Sequence, residues 1–453
     1  MGNTLKLLAS VLAALIVYLI TPGLTPPQLR MALVLLILAA ALWITESIPL
    51  AATSLLIALL QPLWGIQSFS KALIPFFDPV VVLLLGGFLL AIAVDKHDLD
   101  ELMGVAILRR AGKKPRRLAL GLMLGTAFLS CWVNNTAAAA VMMTVAMPII
   151  KQVQDPRGNF PKIMVLGVAY SATIGGMMTL VGSPPNAMAW AFLAQPPVGL
   201  RLSFALFSLY ALPPALIALF GGWALLCWRF PPGIKEIPSI AQGPRQIGGM
   251  QKGTLVIFLL AVILWLTESI HGLNSSMVAI VVAVALFLTG LLKKEDVGKA
   301  DWNTLLLFGG GLSLGAALQA SGLATLITDS VLALTPSIST AGVAALLGAS
   351  SLIFSAVASN TASASIFLPI AINVAQSLFP GSMQWSVVFA VLIVFGVSID
   401  FMLPIGTPPN AIAYSTGHVS MREMLAVGFI LNLVSFLAAL LLALTLWPLV
   451  PLF

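Results

Sequence analysis

Gly182-Ser183-Pro184-Pro185-Asn186-Ala187 returns 224 residues later as Gly406-Thr407-Pro408-Pro409-Asn410-Ala411. Both copies interrupt long apolar runs, and two prolines inside such a run break a helix. Three further matches accompany them in the same order along the chain. Leu42-Trp43-Ile44-Thr45-Glu46-Ser47-Ile48 returns as Leu264-Trp265-Leu266-Thr267-Glu268-Ser269-Ile270, at an offset of 222. Asp78, followed by Gly86-Gly87, returns as Asp301 followed by Gly309-Gly310, at 223. Asn135-Thr136-Ala137 returns as Asn360-Thr361-Ala362, at 225. Near-constant spacing over four matches marks an internal duplication.

The duplicated unit belongs in lipid. Of 453 residues, 60% are hydrophobic and only 8% charged, whereas a soluble domain carries about 25% charged residues. The two cysteines, Cys131 and Cys227, are too few for a disulfide framework and read as packing residues. The net charge of +7 does not call for a nucleic-acid partner, because basic residues in a membrane protein concentrate in cytoplasmic loops. The first apolar stretch, Leu5 to Ile20, lacks a small-residue cleavage site and reads as a span.

The expected fold is an all-α membrane protein with about eleven transmembrane helices and two re-entrant hairpins in two inverted repeats. Spans are expected near 5–22, 30–48, 50–66, 79–95, 163–194, 204–228, 253–271, 274–292, 302–320, 385–416 and 423–447. The hairpins are expected at 116–150 and 339–376, each split by a polar Asn-Thr tip. Irregular backbone at membrane depth requires a protein or water-filled surround. Asp95 to Arg110, with Leu99, Leu102, Ala106 and Ile107 on one face, is expected along the membrane surface. Residues 1–28 form an extra span, 29–230 the first repeat, 231–252 a cytoplasmic linker and 253–453 the second repeat. Five spans per repeat is an odd number, so the repeats must be inverted.

Loop charges orient the chain. Residues 109–117 hold Arg109, Arg110, Lys113, Lys114, Arg116 and Arg117, while 332–340 hold no base. Residues 151–162 hold Lys151, Arg157 and Lys162, while 374–386 hold none. In the opposite sense, 291–301 hold Lys293, Lys294 and Lys299 against Lys71 alone in 68–78. The positive-inside rule makes the N-terminus cytoplasmic, the first hairpin inward-opening and the second outward-opening. A multi-pass protein of the cell inner (plasma) membrane follows.

The chemistry is expected at the tips and breaks. Asn134-Asn135-Thr136 and Ser359-Asn360-Thr361 each precede a helical run, and Asn and Ser are strong N-caps. Ser183 and Thr407 are expected to cap the half-helices that begin at Pro184 and Pro408. Gly182 and Gly406 free the backbone to bend. Four helix N-termini then converge and favour anions, while unwound carbonyls and Asn or Ser oxygens suit sodium. No Lys or Arg occurs in 119–150, 163–200 or 339–421. Bound cations would therefore supply the positive charge that an anion site lacks. Glu46 and Glu268 read as structural residues near span ends. Asp400 breaks the repeat, because its counterpart is Gly176. An intramembrane carboxylate is a candidate coupling residue, as cation ligand or protonatable group, and a structural, hydrogen-bonded aspartate is the alternative. His97, His271 and His418 have no metal-ligand spacing.

These duplicated motifs resemble the divalent-anion:sodium symporter family of dicarboxylate and citrate transporters, over nearly the whole chain. The resemblance implies a dimerising scaffold domain, an elevator-like transport domain and no organic cofactor. It implies one sodium site from Ser130, Asn134, Asn135 and Gly182, and a second from Ser355, Ala358, Asn360 and Gly406. It implies substrate contacts from Asn135, Thr136, Ser183, Asn360, Thr361, Thr407 and Pro408. Asn134 departs from the family's usual serine. The expected function is sodium-coupled import of C4-dicarboxylates such as succinate, malate or fumarate by a homodimer. Sodium-independent di- or tricarboxylate exchange is the alternative. A cation/proton antiporter would depend on Asp400 alone. No Ser-His dyad, aspartate pair, metal motif or Walker loop points to an enzyme.

Overall fold

The structure, a computed structural model, describes residues 2–237, 247–334 and 337–452, apart from the side chains of residues 105 and 107–111. The middle of the expected linker and the side chains of Ile107, Arg109 and Arg110 therefore lie outside the described residues. Among the described residues, all regular structure is helical. Among the described residues, seven helices are long and apolar enough to cross a membrane. An eighth follows if Trp302–Ala320 and Leu323–Leu334, bent by 76°, count as one span. Shorter apolar helices add Leu50–Leu63, Ser275–Leu288, Thr340–Ser355 and Met383–Ser398. The chain is a multi-pass membrane protein.

The expected hairpins each form two helices around a short tip: Pro115–Ser130 with Asn135–Gln152, and Thr340–Ser355 with Asn360–Leu378. The two runs containing the duplicated Pro-Pro-Asn motif each divide into two helices, whereas Pro213-Pro214 stays inside the continuous helix Phe204–Arg229. Asn159–Gly176 is followed by Pro184–Ala194, and Met383–Ser398 by Pro408–Ser415. Proline accounts for each restart, since it sits at N1 where no amide donor is needed. The amphipathic segment is the helix Leu99–Ala111, which packs on both helices of the first hairpin. Its Leu99 is buried and its Ala106 exposed.

The other duplicated residues have local explanations. Asp78 and Asp301 are N-caps: their carboxylates accept from the amides of Val80 at 2.9 Å and Thr304 at 3.0 Å. The glycines that follow permit close helix crossings between the halves. Leu50–Leu63 packs on Trp302–Ala320, and Ser275–Leu288 packs on Pro79–Lys96. A Cβ added at Gly86 would lie 2.7 Å from the carbonyl oxygen of Ala279. At Gly310 it would lie 2.7 Å from the Cα of Ser54. Any larger residue would push the paired backbones apart.

Contacts distant in sequence gather helix ends into two sets. One set contains Lys162 with Glu423 at 2.5 Å, Trp223 donating to the Arg116 carbonyl, and Lys96 with Asp296. The other contains Gln384 donating to the Tyr210 hydroxyl, and the Phe204 amide donating to Glu268. Glu268 also accepts from Ser275 at 2.7 Å, which gives it the structural role expected of it.

Asp296 shows how the first set is held. Its carboxylate accepts from Lys96, from Lys299 at 2.8 Å and from the Lys293 amide at 2.8 Å. Lys299 and Lys96 hold its carboxyl far below the usual carboxylate range. A depressed folded-state pKa stabilises the fold above the unfolded pKa of about 3.9, and the gain disappears as pH falls through the folded value. Asp296→Asn should therefore lower the melting midpoint by a similar amount from pH 5 to 8, measured by scanning fluorimetry. The gap from wild type should narrow only below about pH 4.

Candidate binding site between the tips and the breaks

Both hairpin tips and both helix breaks line one cavity of about 480 Å³. The first half contributes Asn134, Asn135, Thr136, Gly182, Ser183 and Pro184. The second contributes Ser355, Ala358, Asn360, Thr361, Gly406, Thr407 and Pro408. Of the expected site residues, only Ser130 and Asp400 are not on the cavity wall, and both are buried behind it. Among the described residues, no Lys or Arg lines the cavity, although Glu46 and Asp301 do.

Helices start at Asn135, Pro184, Asn360 and Pro408, so four helix N-termini meet at this wall; the two that begin with Pro-Pro carry no amide hydrogen at their first two positions. Two expected caps form. Asn134 Oδ1 accepts from the Ala137 amide at 2.8 Å, and Thr407 Oγ1 accepts from the Asn410 amide at 3.4 Å. Two expected caps do not: Ser183 and Ser359 make no side-chain cap bond. The Ser183 main-chain carbonyl, not its side chain, accepts from the first amide of that helix, Asn186, at 3.1 Å. Asn134, conversely, has its amide oxygen engaged at the tip.

Beneath each tip lies the same oxygen cluster. Ser130 Oγ is 2.8 Å from Asn135 Oδ1 and 2.6 Å from the Ala172 carbonyl oxygen. Ser355 Oγ is 2.8 Å from Asn360 Oδ1 and 2.6 Å from the Val397 carbonyl oxygen. A hydroxyl has a single hydrogen. Its hydrogen, shared between the two acceptors, leaves the hydroxyl lone pairs, the asparagine oxygen and the carbonyl oxygen as an oxygen-rich cluster. Paired clusters at an offset of 225 make this a property of the repeat.

A second paired feature holds the breaks open. Asn186 Nδ2 donates to the carbonyls of Gly176 at 2.9 Å and Thr179 at 2.6 Å. Asn410 Nδ2 donates to those of Asp400 and Leu403, both at 3.0 Å. Both asparagines are fully buried. The sequence placed them in the motif without a role. A buried amide four residues past a glycine was the available signal, because unwound carbonyls need donors.

A membrane-embedded helical fold with a central polar cavity built from interrupted helices defines a secondary transporter. The sequence model of the sodium:sulfate symporter transmembrane region matches residues 2–453, and the chain belongs to that family, the divalent-anion:sodium symporters. An uncharacterized transporter of Haemophilus influenzae is 36% identical, over 90% of each chain. A sodium-dependent dicarboxylate transporter of Staphylococcus saprophyticus is 33% identical, over 87% of this chain and 82% of its own. The crystal structure of the Alcanivorax borkumensis YdaH transporter shares the fold, with a TM-score of 0.59 at 14% identity. It is matched over 83% of this chain and 87% of its own. Family and relatives are transporters, so this protein is a transporter and not an enzyme.

Proposed function

We propose that the protein imports C4-dicarboxylates coupled to sodium, through two half-sites related by an inverted repeat. The observation that carries this reading is the pair of oxygen clusters under the tips. Each brings together a serine hydroxyl, an asparagine oxygen and a main-chain carbonyl with one hydrogen among them. Such a cluster favours a small hard cation. One sodium site uses Ser130, Asn135 and Gly182, with Asn134 at its edge. The other uses Ser355, Ala358, Asn360 and Gly406.

The anion needs positive charge, and among the described residues the cavity wall has no basic side chain. Cation binding next to the helix N-termini supplies it, which makes cation and dianion entry cooperative. Carboxylates are met by Asn135, Thr136 and Ser183 from one half and by Asn360, Thr361, Thr407 and Pro408 from the other. The staphylococcal relative is named a sodium-dependent dicarboxylate transporter, which supports both cargo assignments. The N-terminus is cytoplasmic and the protein works as a homodimer in the inner membrane, with an elevator-type movement of the site.

Proteoliposomes test this reading. A sodium gradient should raise initial succinate uptake at least about tenfold over choline, because each sodium adds its own gradient to the driving force. Uptake indifferent to sodium but dependent on internal dicarboxylate would establish exchange instead.

A further inference from the structure

We propose that Asp400 is a direct ligand of the sodium ion in the second half-site, which gives that half-site a fixed negative charge absent from the first. The inference rests on the sodium-coupled reading above and deepens it. Asp400 is 1% exposed, and neither of its carboxylate oxygens has a hydrogen-bond partner. The Met402 amide is close enough to affect the carboxylate but does not reach hydrogen-bond geometry. No Lys or Arg occurs between 339 and 421. An ionised carboxylate in such a place is stable only with a cation beside it.

Its position is specific. The Asp400 main-chain carbonyl is held by Asn410, as the Gly176 carbonyl is held by Asn186. The two positions are therefore equivalent in structure as well as in sequence. A Cβ added at Gly176 would fall on Oδ1 of Asn135, the oxygen already in contact with Ser130. A side chain at this position thus leaves the backbone toward the tip asparagine. At Asp400 that side chain exists, and its carboxylate rests on Gly406, where an added Cβ would overlap it. The carboxylate lies against the break glycine, and the repeat equivalence with Gly176 is what points it to the second tip's oxygens. Ser398, two residues earlier, adds a buried hydroxyl without a partner.

The two half-sites then differ in kind. The first offers neutral oxygens only, and the second adds a carboxylate, so the second binds sodium more tightly and fills first. A carboxylate ligand a few ångströms from a cation contributes strongly where water is excluded.

The test uses the purified full chain in detergent, with melting measured against sodium at constant ionic strength in choline. Asp400→Asn and Asp400→Gly should each raise the sodium concentration for half-maximal stabilisation by at least about tenfold. Variants that fold and keep the wild-type midpoint overturn the inference while leaving sodium coupling intact. A wild type that shows no response to sodium overturns both. A second measurement needs no variant: sodium should slow carbodiimide labelling of Asp400 in the wild-type chain, read by mass spectrometry. Labelling of Asp400 at a rate independent of sodium overturns the inference even if the variants do not fold.

Discussion

Asn360→Ala should cut sodium-driven dicarboxylate uptake by about a hundredfold or more, with the protein still folded. Asn360 begins the second hairpin's inner helix, and its Oδ1 lies 2.8 Å from Ser355 Oγ. In the proposed site it serves the cation directly and the anion from the same tip. Interactions with charged partners are worth about 1.5–3 kcal/mol each, and each 1.4 kcal/mol is tenfold. Losing two of them therefore removes most of the activity. The fold should persist, because alanine is a good helix former and the tip is partly exposed. Thr361→Ala should cost less, about tenfold, because one hydroxyl is lost. Initial uptake rates in proteoliposomes, with melting in choline as the folding control, decide the matter. Wild-type uptake by Asn360→Ala would remove the second tip from the site.

Asn410→Ala should act through the fold instead. Its side-chain amide holds two carbonyls of the unwound segment, the buried one of Asp400 and the part-buried one of Leu403. Leaving a buried acceptor unsatisfied costs about 1–3 kcal/mol and a part-buried one less, so the variant should lose about 2–4 kcal/mol. A lower melting midpoint both with and without sodium is the expected signature, together with loss of transport. Asn186→Ala should behave alike, because Asn186 holds Gly176 and Thr179 in the same way. A variant with unchanged melting and lost transport would instead make these asparagines ligands of the cargo. These two outcomes separate residues that touch the cargo from residues that hold its cradle.

The helix breaks were legible because a proline pair preceded by glycine and a hydroxyl residue acts locally, whereas Pro213-Pro214, preceded by neither, stays within a helix. Pro184 and Pro408 start helices in the structure as their chemistry requires. The helix pairs around the Asn-Thr tips were legible because each apolar run is interrupted by a polar, capping tip. The caps were read half correctly. Asn134 and Thr407 cap, whereas Ser183 and Ser359 do not. A cap depends on a side-chain rotamer, and composition does not select it. The role of the Asp78 and Asp301 pair was not legible at all, although its repetition was. As N-caps they begin helices whose glycines cross the opposite half.

By itself the sequence determined that this is a lipid-embedded helical chain, duplicated, with two tips and two breaks as its polar elements. Hydropathy, proline and spacing act over a few residues, so they are readable in a line. Only the tertiary structure decided which oxygens meet. Ser130 reaches the Ala172 carbonyl 42 residues away, Ser355 reaches that of Val397 across the same separation, and Asp400 ends against Gly406 without a partner. The Gly182-to-Ala187 and Gly406-to-Ala411 stretches mark where the helices open. The approach of distant backbones through packing decides what they open onto.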